Sequence, residues 1–143
     1  MEWHEIDIVS DPKARLRAER CIIAEITAHG FSQEASFSIK LAMEEAVVNA
    51  MKHGNRFDPV KHVLLRYAFS GDTFHLVIRD QGPGFDFHHL PDPTRPENLG
   101  LPYGRGIMLM EAYMDRVTFN DRGNEVTLVK KNRRKGAPQF NSR

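Results

Sequence analysis

At 143 residues, with 20 Lys plus Arg against 19 Asp plus Glu and a formal net charge of +1, the chain has room for one domain and no bulk charge for direct nucleic-acid binding. Hydrophobic residues at 41% and charged residues at 27% supply a core and exclude a chain disordered by composition. The single cysteine excludes an internal disulfide framework and a multi-cysteine zinc site; within the apolar run CIIAEI, Cys21 reads as a buried thiol.

The opening MEWHEIDIVSDP lacks the basic-then-apolar order of a secretory leader, and no apolar run approaches the ~18 residues of a membrane helix. A cytoplasmic protein that does not enter the membrane is expected. Ile6 and Ile8 alternate with polar neighbours over Trp3–Val9, which predicts a strand. Ser10 or Asp11 caps the next segment and Pro12 suits a first helical turn. Leu16, Cys21, Ile22, Ile23 and Ile26 then give Lys13–His29 a ragged helical face, stopped by Gly30. Ser32, with Glu34 near the capping position, opens a second helix through FSIKLAMEEAVVNAMKH that closes at Gly54.

Two strands follow, with Val63, Leu65, Tyr67 and Phe69 on one face of the first and Phe74, Leu76 and Ile78 on one face of the second. Ser70-Gly71-Asp72 joins them as a hairpin. Between Gln81 and Tyr103, glycines and five prolines exclude regular structure and mark a functional or mobile connection. A third helix is expected over Gly104–Tyr113, then strands around Asp115–Asn120 and Glu125–Lys131 about the turn Asp121-Arg122-Gly123-Asn124. The β-α-α-β-β-α-β-β order predicts an α+β fold, a two-layer sandwich with helices on one face of a mostly antiparallel mixed sheet. Residues 1–131 form the domain in this reading, and 132–143 a basic flexible tail.

Three motifs carry chemistry. In EEAVVNAMKHGN, Glu45 and Asn49 are four residues apart and share a helix face, whereas Glu44 points about 100° away. A helical Asn among Ala, Val and Met is either bonded to nearby backbone or an oxygen ligand for Mg²⁺. In RDQGPGF, Asp80 ends a strand before Gly82 and Gly84, either a plain turn or a carboxylate that accepts from an exocyclic amine such as adenine's. In YGRGIMLM, Gly104 and Gly106 flank Arg105 at a helix start, where free amides and the dipole suit phosphate and Arg105 adds a charge-assisted contact. The alternative there is a glycine-rich start with a solvated Arg.

In this order and spacing the motifs resemble the N, G1 and G2 boxes of the GHKL ATPase superfamily, which includes gyrase, histidine kinases and MutL, over Phe31 to Lys131. The resemblance implies the Bergerat ATP-binding fold, ATP with Mg²⁺, and a lid between Gly84 and Gly104. Within the superfamily it is to the bacterial anti-sigma factor serine/threonine kinases of the RsbW/SpoIIAB type. The helix motif ends Asn49-Ala50-x-x-His53-Gly54, where histidine kinases usually have an aromatic residue for the His. His29, followed by Gly30, also lacks the acidic neighbour of a phosphoacceptor histidine.

Carried over by position, the resemblance makes Glu45 the general base, Asn49 the Mg²⁺ ligand and Asp80 the adenine anchor. Gly82, Gly84, Gly104 and Gly106 become the nucleotide-loop glycines, and Lys52 occupies a position that often faces phosphate in histidine kinases. One departure stands out: relatives often have Gly-Thr-Thr before the last strand, with a Thr near adenine, and here the chain has Gly123-Asn124-Glu125. The implied activity is transfer of the ATP γ-phosphate to a serine of a STAS-type anti-sigma antagonist. A homodimer, with Trp3–Val9 in its interface, would sequester a sigma factor. Two alternatives are an ATP-gated binding module without phosphotransfer, disfavoured by Glu45, and a detached histidine-kinase catalytic domain, disfavoured by His53-Gly54. His88-His89 reads as no metal site, Met108 and Met110 as packing residues, and Arg133-Arg134-Lys135 as solvated.

Overall fold

Asp11, rather than Ser10, begins the first helix. Its Oδ2 accepts from the Ala14 N–H at 3.0 Å, and Pro12 occupies the first turn, where no N–H is required. This helix, α1 (Pro12–Ala28), ends as Gly30 turns left-handed at φ +81°. Ser32 then caps α2 (Gln33–Asn49), its Oγ accepting from the Ala35 N–H at 3.0 Å. The chain is described by a computed structural model covering residues 1–84 and 102–133. The expected lid over 85–101, His88-His89, and the tail beyond 133 lie outside the described residues.

Strands β1 (His4–Val9), β2 (His62–Ser70), β3 (Thr73–Arg79), β4 (Arg116–Phe119) and β5 (Glu125–Lys131) form one sheet in the order β1-β2-β3-β5-β4. Every described pairing is antiparallel. The register stacks Ile6 on Leu65, Leu65 on Ile78 and Ile78 on Val126, so one sheet face is a continuous apolar layer. Against it lie α1, α2 and α3 (Pro102–Tyr113), with Ile22, Ile26, Ile39, Met43, Val47 and Met110 buried in the shared core. The α+β two-layer reading therefore holds. No helix among the described residues is long and apolar enough to cross a membrane.

Three expectations change. Cys21 is exposed, because the buried stripe of α1 runs through Ala18, Glu19, Ile22 and Ile26 and leaves Cys21 to one side. Leu16 is exposed for the same reason. Glu19 takes an inward place instead: burial pushes its carboxyl up, and Arg15, at 3.0 Å, counters this. Met110 packs in the core as expected, but Met108 on the opposite side of α3 is 47% exposed.

Asn132, just past β5, ties the α1–α2 and β2–β3 turns together. Its Oδ1 accepts from Ser32 N–H at 3.0 Å, its Nδ2 donates to Gly30 O at 3.2 Å, and its N–H donates to Asp72 O at 2.7 Å.

Candidate functional site

Helix α2 does not simply stop. It widens into a π turn over Ala50–Gly54, closed by the Asn55 N–H on Ala50 O at 2.8 Å. Such widenings concentrate at functional sites, and this one sets Gly54 against the end of β3. A Cβ on Gly54 would strike the Asp80 carboxylate, and one on Gly82 would strike Gly54 O. Glycine at both positions is therefore a steric requirement, since only bare backbone lets helix end, carboxylate and loop approach this closely. Gly84, at φ +85°, is pressed on the Arg122 carbonyl of the β4–β5 turn in the same manner.

Asp80 is buried, with Oδ1 accepting from the Gly82 N–H at 2.7 Å. Burial pushes its carboxyl above the ordinary range, opposed by that hydrogen bond and by the charges of Lys61 and Arg122. His53 on the π turn is shifted down by burial and then by the neighbouring Lys52 charge.

On the other side, α3 presents Gly106 to α2. A Cβ there would stand 2.5 Å from Glu45 Oε2 and 2.7 Å from Asn49 Nδ2. The two side chains four residues apart thus meet the second glycine motif directly. Glu44 turns the other way, 3.6 Å from Arg15 on α1. Gly106→Ala should bring in about 1 kcal/mol of helix propensity, yet force a methyl between the two functional groups at about 1–3 kcal/mol. We expect an intact fold by circular dichroism and at least about a tenfold loss of any turnover that uses Glu45.

A cleft opens between these elements. Its apolar walls include Ala46, Ala50, Ile78, Ile107, Met110, Phe119 and Val126, and its polar groups come from Asn49, Asp80, Asn124 and Glu125. Asn49, Asp80 and Gly84 line it directly; Glu45, Gly82 and Gly106 adjoin these lining residues. Gly104 and Arg105 lie in the first turns of α3, with Arg105 exposed. Lys52 is exposed on the π turn and does not line the cleft.

Asn124 is a cleft residue to which the sequence reading assigned no role. Its Oδ1 accepts from Asn120 Nδ2 at 2.7 Å, while its Nδ2 lies 3.4 Å from Asp80 O. Its own carbonyl accepts from the Asp80 N–H at 2.9 Å, coupling the last hairpin to the carboxylate. Thr127, paired with Val77 and Thr118 in the sheet, does not line the cleft.

A buried carboxylate, glycine-only backbone approaches and a helix start around one apolar cleft are the parts of a nucleotide site. The histidine kinase-like ATPase domain family matches residues 8–130, and the chain belongs to that family. Its sequence is 36% identical to an anti-sigma F factor of Anoxybacillus flavithermus over 95 residues, 64% of each chain. It is 32% identical to the serine-protein kinase RsbW of Bacillus licheniformis over 108 residues, covering 71% of this chain and 68% of that one. The chain thus spans about two thirds of the length of these relatives. Its fold is shared with the structure of the RsbU and RsbW domains of Rv1364c from Mycobacterium tuberculosis, with TM-score 0.64 and 17% identity over 93% of this chain and 32% of that one. Family membership implies ATP as the nucleotide.

Proposed function

We propose that the chain is an ATP-dependent serine protein kinase and anti-sigma factor. The observation that carries this reading is the meeting of Glu45, Asn49 and Gly106 beside the cleft that Asp80 lines. Asp80 would accept from the adenine amine, and the first turns of α3, with Gly104, Arg105 and Gly106, would receive phosphates. Asn49 lines the cleft, and its amide oxygen would supply one hard ligand to Mg²⁺, whose remaining ligands would be phosphate and water. When bound there, Mg²⁺ neutralises charge on the phosphates. Glu45 accepts the proton of the incoming serine hydroxyl, the serine oxygen bonds to the γ-phosphorus, and the bond to the ADP oxygen breaks. Lys52, exposed on the π turn, would reach phosphate only from outside the cleft.

The name of one relative, anti-sigma F factor, supports a sigma factor as the protein held; a STAS-type antagonist as the serine substrate, in a cytoplasmic partner switch, completes the proposal. A homodimer would use the free edge of β1, which pairs only with β2 among the described residues. Incubation with Mg-ATP and a candidate antagonist should yield a phosphoprotein stable in acid. Acid-labile label would indicate phosphohistidine instead, and no label would leave an ATP-gated binding module.

A further inference from the structure

The Asp80–Gly82 loop is held from behind by a side chain that the mechanism above does not use. Asn55 is 1% exposed, immediately after the π turn. Its Nδ2 donates to His62 O at 2.9 Å, and its Oδ1 accepts from the Gln81 N–H at 2.8 Å. His62 N–H in turn donates to Gln81 Oε1 at 2.7 Å. Three hydrogen bonds thereby join the end of the functional helix, the first residue of β2 and the residue next to Asp80.

The placement of Asn55 is itself strongly determined. Its N–H is fixed on Ala50 O, and Phe57 N–H on Met51 O, both at 2.8 Å. Between them Arg56 and Phe57 run left-handed at φ +52° and +55°. Two consecutive side chains in that region persist only where the surroundings hold them. The job also demands an amide: one planar group must donate to a carbonyl on one side and accept from an N–H on the other. Aspartate would set an oxygen against the His62 carbonyl, and an apolar residue would leave both backbone groups unpaired.

We propose that Asn55 is a positioning residue for base recognition. By fixing the Gln81 backbone it aims the Asp80 carboxylate at the nucleobase, and so sets the preference for a base carrying an exocyclic amine over one carrying a carbonyl there. The inference rests on the ATP-site reading and adds to it the residue that makes that site selective.

Equilibrium binding of Mg-ATP and Mg-ITP to the wild type and to Asn55→Ala tests it, since hypoxanthine replaces the adenine amine with a carbonyl. The variant should lose about tenfold in ATP affinity with ITP affinity nearly unchanged, so that the preference collapses. An equal loss for both nucleotides marks a merely structural residue and overturns the proposal, as does an undiminished ATP preference. If the wild type itself shows no preference for ATP over ITP, the adenine reading of Asp80 fails first, which distinguishes the two failures. Should the alanine variant not fold, Asn55→Asp keeps the volume and an oxygen for Gln81 but loses the donor to His62. A reduced ATP preference in that variant supports the proposal, and full retention overturns it.

Discussion

Glu45→Gln should leave Mg-ATP affinity nearly intact and lower single-turnover phosphotransfer by about 10²–10⁴-fold, the range for a positioned proton acceptor. The substitution is isosteric, so the contact between this side chain and Gly106 survives while the ability to take a proton is lost. Glu45 is half-buried beside Asn49 and is not among the residues lining the cleft, which separates its effect on transfer from any effect on base binding. Fold stability, nucleotide affinity and transfer measured on one preparation check it. A fall in all three together would make Glu45 structural, and undiminished transfer would remove it from the chemistry.

Asp80→Asn has the second large effect, with opposite signs in two measurements. Nucleotide affinity should drop about 10- to 150-fold, because a charged acceptor for the adenine amine becomes an amide that presents a donor, at about 1.5–3 kcal/mol. The free protein should nevertheless become more stable at neutral pH. Burial holds the Asp80 carboxyl above its ordinary value of 3.8, so the folded state disfavours the ionised form. That destabilisation is fully present above the raised value, shrinks as pH falls through it, and is gone below 3.8, where both states are protonated. Asparagine removes it at every pH while its oxygen can still accept from the Gly82 N–H. Thermal melts of the two proteins should therefore differ at neutral pH and converge in acid; a variant less stable at neutral pH would show that the Gly82 bond outweighs burial.

Hydropathy period, together with cap and turn residues, located the three α-helices and five strands of the described residues. The alternation in HVLLRYAF and TFHLVIRD gave the hairpin its inward face, and β5 has the predicted bounds of Glu125–Lys131. The meeting of Glu45 and Asn49 was legible because helical spacing fixes which side chains share a face, and the glycine motifs located the backbone approaches. Other features depend on tertiary context. Cys21 sits one position away from a buried stripe that runs through Glu19, and a run of apolar letters cannot tell those positions apart. The π turn has no propensity signature, and the left-handed pair Arg56-Phe57 contains neither glycine nor asparagine to announce it. Asn55 and Asn124 looked like ordinary turn residues, since their partners at His62, Gln81, Asn120 and Asp80 become neighbours only when the sheet forms.

That the cleft between the α2–α3 pair and the β3–β5 end of the sheet is an ATP site is tested most directly by calorimetric titration of Mg-ATP into the wild type and Asp80→Asn at neutral pH. Saturable one-site binding by the wild type, weakened about 10- to 150-fold in the folded variant, is the predicted result. Equal affinity in the two proteins, or no binding to a folded wild type, would contradict it.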